Sequence, residues 1–153
     1  MNMTEAQSFL NNKGLALTPE RQNALITTKH SLEAIEIGYG ILDAQGLTSA
    51  GLITMLKALR HPKATAAAIC SCQAKNLLTP LALNLITLAK THQEKVADTM
   101  QILTDNSLLV EPYMTEILSV LKHHEFAQAL ACLKQAGLLE RFGPIIVSNA
   151  KHQ

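Results

Sequence analysis

The 153-residue chain has no tryptophan, two tyrosines and three phenylalanines, so aromatic residues make up only 3% of it. The apolar fraction is nevertheless 48%, and alanine, leucine and isoleucine supply most of it. The abundance of alanine and leucine favours helices, and the scarcity of aromatic residues argues against a sheet. Composition and length therefore predict a single all-α domain that is long enough to bury a substantial core.

Charge of one sign is not in excess, because thirteen Lys and Arg residues accompany twelve Asp and Glu. Nucleic-acid binders normally have a strong basic surplus or aromatic stacking platforms, so this class is excluded. No uncharged apolar run of about 20 residues occurs, and no membrane-spanning helix is predicted. The polar start, MNMTEAQSFL, is not typical of a secretory signal peptide.

Cysteines and catalytic motifs are also scarce. Cys70, Cys72 and Cys132 form neither a zinc nor a thioredoxin spacing, which predicts reduced, mostly buried thiols in a cytosolic protein. Cys132 lies in ALACLKQAG, a pattern typical of a buried helix stripe; a nucleophilic pair of Cys132 with His123 is the alternative. No glycine-rich phosphate loop, H-E-x-x-H or G-x-S-x-G is present. We therefore expect no enzyme and no cofactor.

Histidine, in contrast, recurs in a regular pattern. Four histidines follow one another at intervals of 31 residues, at His30, His61, His92 and His123. Similar words mark the starts of successive units: GLALTP, QGLTSA, NLLTPL, SLLVEP and GLLERF. We predict one helical-repeat domain over residues 1–153, with an N-terminal capping helix over 1–13, four repeats over 14–137 and a partial repeat over 138–153.

Helix-capping signals divide each unit into two helices. The first helix is predicted to start at Thr18 with Pro19, Thr79 with Pro80, and Glu111 with Pro112. The second is predicted to start at Pro62 or at a capping box of Thr91 with Glu94. Left-handed caps are expected at the unit boundaries, at Gly46, Asn76, Asn106 and Gly137. An extra N-terminal helix is predicted over Met3–Asn12, capped by Thr4 with Gln7.

The predicted helices are only about 10–13 residues long, and such helices are marginal alone in water. One pair cannot bury its apolar stripes, such as the stripe of Leu52, Met55, Leu56 and Leu59, so neighbouring pairs must stack. The period also differs from those of tetratricopeptide and ankyrin repeats. The sequence therefore predicts an α-solenoid of helix–turn–helix repeats.

In a stack of units, the four histidines of the column would lie in one row, with one histidine in each unit. Equivalent residues of neighbouring units lie about 8–10 Å apart, which is too far for them to share one metal ion. Each histidine is expected at the C-terminus of a first helix, where its ring can donate to a free carbonyl. His124, outside the column, is expected to be exposed. No metal site is predicted.

A basic docking edge is the functional alternative for the same column. Lys29, Arg60 and Lys122 directly precede column histidines, and Lys90 lies one place earlier in its unit. Such an edge would comprise Lys29, His30, Arg60, His61, His92, Lys122, His123 and His124. It would bind an acidic partner protein, more tightly below about pH 6.5, where histidine becomes protonated.

The tail segment RFGPIIVSN has the pattern of a truncated first helix of a fifth unit. Its apolar residues are Phe142, Ile145, Ile146 and Val147. Two interpretations stay open: the segment folds back as a cap, or its uncovered face forms a homodimer contact.

The GLxT…L…H…L…AGLL pattern, from Gly14 to Glu140, resembles the short GLLT-type helical repeats of effectors that intracellular bacteria of the Legionella type inject through a type IV secretion system. The likeness rests on GLTSAGL, NLLTPLALNLI, the histidine column and QAGLLERF. It implies a helical protein-interaction region, in an effector or in a small regulator that binds one, in the bacterial cytoplasm or translocated into a host cell. Such effectors often carry a glutamate-rich stretch near the C-terminus, whereas this chain ends SNAKHQ.

Overall fold

A computed structural model describes residues 1–150, with every side chain among them except those of residues 143 and 146–150. Within residues 1–150 there are ten α-helices and no strand, which confirms the all-α prediction. The helices are α1 (Met3–Asn12), α2 (Pro19–Thr27), α3 (Leu32–Ala44), α4 (Thr48–Lys57), α5 (Pro62–Ala74), α6 (Pro80–Leu88), α7 (Val96–Asp105), α8 (Tyr113–Glu116), α9 (His123–Gln135) and α10 (Leu139–Ala150). The 3-10 turn Gln93–Lys95 directly precedes α7, and the 3-10 turn Ile117–Ser119 directly follows α8.

Side-chain caps set several helix starts. Thr18 and Thr79 cap α2 and α6, each followed by a proline in the first turn, as predicted. Before the short α8, the Glu111 carboxylate accepts the backbone N–H of Thr115 at 3.3 Å.

The predicted bounds of α1 are confirmed, but its capping residues are not the predicted pair. Asn2 is extended, and its side chain accepts the backbone N–H of Glu5, whose carboxylate accepts the Asn2 N–H in return. The capping box therefore lies two residues before the predicted Thr4 with Gln7.

One turn geometry follows α1, α3, α5, α7 and α9. Two places beyond each helix stands a residue with a left-handed φ of 56–74°, in order Gly14, Gly46, Asn76, Ser107 and Gly137. The next residue, always leucine, donates its N–H to a carbonyl five places earlier at 2.8–2.9 Å. This pattern is the Schellman motif, so α1 ends in the same way as a second helix of a repeat.

The left-handed position before α8 lies one residue later than predicted. Asn106 has a negative φ and its side chain donates to the Ile102 carbonyl at 2.8 Å. Ser107 adopts the left-handed conformation instead. Because asparagine adopts this conformation more readily than most residues, Asn106 indicated the correct turn, but its neighbour Ser107 is the left-handed residue.

The helices contact one another in two rows. In the first row, α2 contacts α4, α4 contacts α6, and α6 contacts the turn Ile117–Ser119. In the second row, α3, α5, α7 and α9 contact one another in succession. α1 contacts α2 and reaches α3 through the rings of Phe9 and Tyr39, which meet edge to face at 6.0 Å.

A continuous apolar core runs between the rows. Its fully buried side chains include Leu25, Ile35, Met55, Ile69, Ile86 and Met100. Burying one such side chain stabilises the fold by about 1.5–3 kcal/mol. Helices α3 and α5 approach each other closely at Gly38, where an added Cβ would lie 2.9 Å from Pro62 Cβ. The predicted stripe of α4 is buried except at Leu59, which is 63% exposed because the helix ends at Lys57.

The last helix, α10, packs against α9. Arg141 lies over the Phe142 ring at 5.2 Å, and Ile145 is 54% exposed. The side chains of Ile146 and Val147, predicted as contacts, lie outside the described residues. Within residues 1–150 no helix has both the length and the apolar character required to cross a membrane.

Candidate functional site: the histidine edge

Four linkers join the first helix of each unit to the second: residues 28–31, 58–61, 89–92 and 120–122. Contacts connect them in sequence. His30 Nε2 donates to the Ala58 carbonyl at 2.7 Å, and Arg60 Nη1 donates to the Lys90 carbonyl at 3.5 Å. His92 and Leu121 line one cleft. We call these linkers with their flanking turns, residues 27–33, 57–63, 88–95 and 119–125, the histidine edge.

The histidines do not occupy the predicted helix C-termini, although two of them bond carbonyls. His30 lies in its linker and bonds the carbonyl that ends α4 of the next unit. His61 instead caps the start of α5, where its Nδ1 accepts the Lys63 N–H at 3.0 Å. A linker of three or four residues separates the two helices of each unit, and the column histidines lie close to the start of the second helix.

The predicted capping box of Thr91 with Glu94 is wrong, because His92 rather than Thr91 directly precedes the turn Gln93–Lys95. The backbone of His92 is left-handed, with a φ of 58°. Its ring Nδ1 lies 3.3 Å from the Glu94 carboxylate. Hydrogen bonding from its own backbone, with smaller contributions from His92 and Arg60, lowers the pKa of Glu94.

His123 and His124 begin α9 in two different environments. His123 is buried, and burial lowers its pKa, while a hydrogen bond to the Val120 carbonyl acts in the opposite direction. His124 was predicted to be exposed, but it is half-buried, and its Nδ1 lies 3.1 Å from Thr99 Oγ1. Since the Thr99 hydroxyl donates to the Lys95 carbonyl, the ring of His124 is the donor in this bond.

Positive charge is concentrated on the histidine edge. It contains seven of the thirteen Lys and Arg residues of the chain: Lys29, Lys57, Arg60, Lys63, Lys90, Lys95 and Lys122. It contains three of the twelve carboxylates: Glu33, Glu94 and Glu125. A near-neutral protein thus has one distinctly cationic edge, which agrees with the predicted basic ridge.

Two clefts open along this edge. The first, of about 240 Å³, lies between linkers 28–31 and 58–61 and is lined by Lys29, His30, Lys57 and Leu59 among others. The second, of about 280 Å³, lies between linkers 89–92 and 120–122 and is lined by His92, Lys95, Leu121, Lys122, His123, His124 and Glu125 among others. Three of the five histidines in residues 1–150 therefore meet in one cleft.

Sequence reasoning missed the two leucines on the cleft walls. Leu59 is 63% exposed and Leu121 is 64% exposed. They lie 62 residues apart, which is two repeat periods, and each directly precedes a basic residue and a column histidine. This recurrence of leucine, cation and histidine was the signal that could have identified them.

Within residues 1–150 the predicted alternative of a Cys132–His123 nucleophilic pair is not assembled. Cys132 is exposed, contrary to prediction, because α9 turns Leu130 and Ala131 toward the core instead. It stands nine residues after His123 on the same helix, a rise of about 13 Å. Cys72 is buried, which raises its pKa to about 11, and Cys70 is partly buried; all three thiols are free.

No group of three or more His, Cys, Asp or Glu side chains within residues 1–150 is placed to hold a metal ion. The chain matches no protein-family model. It shows no significant similarity to a curated protein or to a solved structure.

Proposed function

We propose that the chain is an α-solenoid that acts as a non-enzymatic protein-interaction module and binds an acidic partner protein through its histidine edge. The two rows of contacts support the solenoid arrangement, because helices of the same row contact one another from unit to unit. Repeated Schellman turns support it further, since they give each unit the same exit direction.

The placement of the cations is the observation that carries the binding proposal. A positive charge is unfavourable at a helix N-terminus, typically by about 0.3–1 kcal/mol. Lys63 nevertheless lies in the first turn of α5, Lys95 directly precedes α7 and Lys122 directly precedes α9. Helix stability explains Lys57, in the last turn of α4, but not these three. Binding of an anionic surface gives them a role.

A charge-reversal comparison tests this proposal. Lys122→Glu removes a cation from the edge, whereas Lys134→Glu makes the same change in the last turn of α9, away from the edge. Immobilised wild type and both variants are exposed to bacterial and host-cell lysates, and retained proteins are quantified by mass spectrometry. Acidic proteins retained by wild type and Lys134→Glu, but lost by Lys122→Glu and at high salt, are the expected result. Equal retention by all three proteins contradicts the proposal.

The biological setting that we propose follows the sequence resemblance to repeats of type IV secreted effectors. The chain would serve as an effector or as a regulator of one, acting in the bacterial cytoplasm or after translocation. A reporter-fusion translocation assay from a bacterium with an intact secretion system, and from a secretion-defective control strain, tests this. A signal that is equal in both strains contradicts secretion.

Self-assembly through α10 is a second candidate. Ile145 is 54% exposed and Leu138, just before the helix, is 41% exposed, so the chain presents apolar surface at this end. Light scattering should then give the mass of a dimer, and Ile145→Glu should give that of a monomer. A wild-type protein that is monomeric at high concentration excludes this function.

A further inference from the structure

The two clefts of the histidine edge share part of their lining at repeat-equivalent positions, although their lysines lie at different positions. Adding 62 to residues 27–30 and 56–59, which line the first cleft, gives 89–92 and 118–121, and several residues of these segments line the second. Leu59 and Leu121 occupy the same position on the two walls. Since neighbouring helices pack about 8–10 Å apart, clefts two units apart are separated by about 16–20 Å.

Each cleft combines the same three chemical groups. An exposed leucine and two lysines line each cleft, together with His30 in the first cleft and His92, His123 and His124 in the second. The lysines are Lys29 and Lys57 in one cleft and Lys95 and Lys122 in the other. Glu125 partly offsets the second pair, with its carboxylate 3.9 Å from Lys122 Nζ. Such a cleft fits an apolar side chain with a neighbouring carboxylate.

Between the clefts the edge is cationic, and the position equivalent to Leu59 and Leu121 is not a leucine. Lys90 occupies this position, and Arg60 reaches across to its carbonyl. Glu94 lies close enough to His92 and Arg60 for both to lower its pKa, after the larger effect of its own backbone hydrogen bond. A ligand that spans the two clefts would therefore pass over the side chains of Arg60 and Lys90.

We propose that the histidine edge binds an acidic segment of another protein in two places at once. One apolar side chain of the segment enters each cleft, and carboxylates lie between them against Arg60 and Lys90. Simultaneous binding at two sites strengthens the complex through effective concentration, without any further contact. The inference rests on the proposed function and specifies the chemistry of the partner.

Selection from a displayed library of random 16-residue peptides on the purified full chain tests the inference. We expect enrichment of peptides with several carboxylates and two apolar residues. Fluorescence anisotropy on the strongest peptide should then show that Leu59→Ser and Leu121→Ser each weaken binding about tenfold or more. Val110→Ser should leave the affinity unchanged, because Val110 is equally apolar and 52% exposed but lies in the turn between α7 and α8. Circular dichroism confirms that each variant is folded.

The outcomes separate this inference from the proposed function. If acidic peptides bind and Lys122→Glu weakens them, but only one leucine or neither matters, the two-cleft inference is overturned and the docking edge stands. If no acidic peptide is enriched, or Lys122→Glu has no effect on those that are, both are overturned. Enrichment of basic or uncharged peptides has the same consequence.

Discussion

Lys75 and Asp98 form an ion pair of 2.8 Å between α5 and α7, and this pair repeats the contact that Lys13 and Glu36 form 62 residues earlier at 2.7 Å. The equivalent positions 31 residues after each pair hold Ala44 with Ala67 and Asn106 with Ala129, so no such pair forms there. The same interval of 62 residues separates Leu59 from Leu121.

The two lysines should differ in their contribution to stability. Lys75 makes an exposed pair, which is worth little, whereas the Lys13 ammonium also lies 4.8 Å from the centre of the Tyr39 ring and is largely covered. We expect Lys13→Met to lower the free energy of unfolding by about 1 kcal/mol. Lys75→Met should lower it by less than about 0.5 kcal/mol. Urea unfolding of both variants measures the difference, and equal losses would contradict the assigned role of the ring.

Gly38 and Gly40, two residues apart on α3, should respond in opposite ways to alanine. At Gly38 an added Cβ meets Pro62 Cβ at 2.9 Å and the Pro62 carbonyl carbon at 3.0 Å, and proline cannot rotate away. Gly38→Ala should therefore cost about 1–3 kcal/mol. At Gly40 nothing lies within 4 Å, so Gly40→Ala should stabilise the helix by about 0.5–1 kcal/mol. Thermal unfolding compares the two variants; a stabilised Gly38→Ala protein would refute the close packing.

Replacing Ser107 with glycine should stabilise the folded protein. The Ser107 φ of 56° is left-handed, a conformation that costs a residue with a Cβ about 1–2 kcal/mol. We expect Ser107→Gly to raise the free energy of unfolding by about 0.5–1 kcal/mol. Ser49→Gly is the matched control, since Ser49 lies exposed in α4, where glycine should destabilise. Chemical denaturation measures both, and destabilisation by Ser107→Gly would contradict the turn geometry.

His123 should make stability depend on pH. Burial lowers its pKa in the folded protein below the ordinary value of 6.5, so the unfolded chain binds the proton more tightly. The stabilisation is complete above about pH 6.5 and is lost as the pH falls through the lower pKa of the folded state. The other titratable groups that line the same cleft are His92, Lys95, Lys122, His124 and Glu125.

Replacing this histidine tests the assignment. Between about pH 7 and pH 5, His123→Gln should lose stability less steeply than the wild type. Urea midpoints at a series of pH values give the slopes. Parallel curves for wild type and His123→Gln would show that another group controls the acid sensitivity.

Periodicity revealed more of this molecule than local propensity did. The 31-residue column located three linker histidines and a fourth at the start of α9. Threonine before proline located α2 and α6, because steric and capping rules act within a few residues. Side-chain exposure was less predictable. Leu59 and Cys132 carry apolar side chains within predicted stripes, yet the end of α4 and the rotation of α9 expose both. These depend on where a neighbouring unit packs, which no short window of sequence contains.

Because the same Schellman turn, with its leucine, recurs along the chain, every two-unit block begins and ends at a turn of the same geometry. A segment such as residues 14–75 begins and ends at the same backbone geometry, with Gly14 at its start and Asn76 just beyond its end. Tandem duplication of such a block in the gene would lengthen the chain without requiring a new kind of turn. Each added block would bring a further leucine at the position of Leu59, so the number of these leucines would follow the number of blocks.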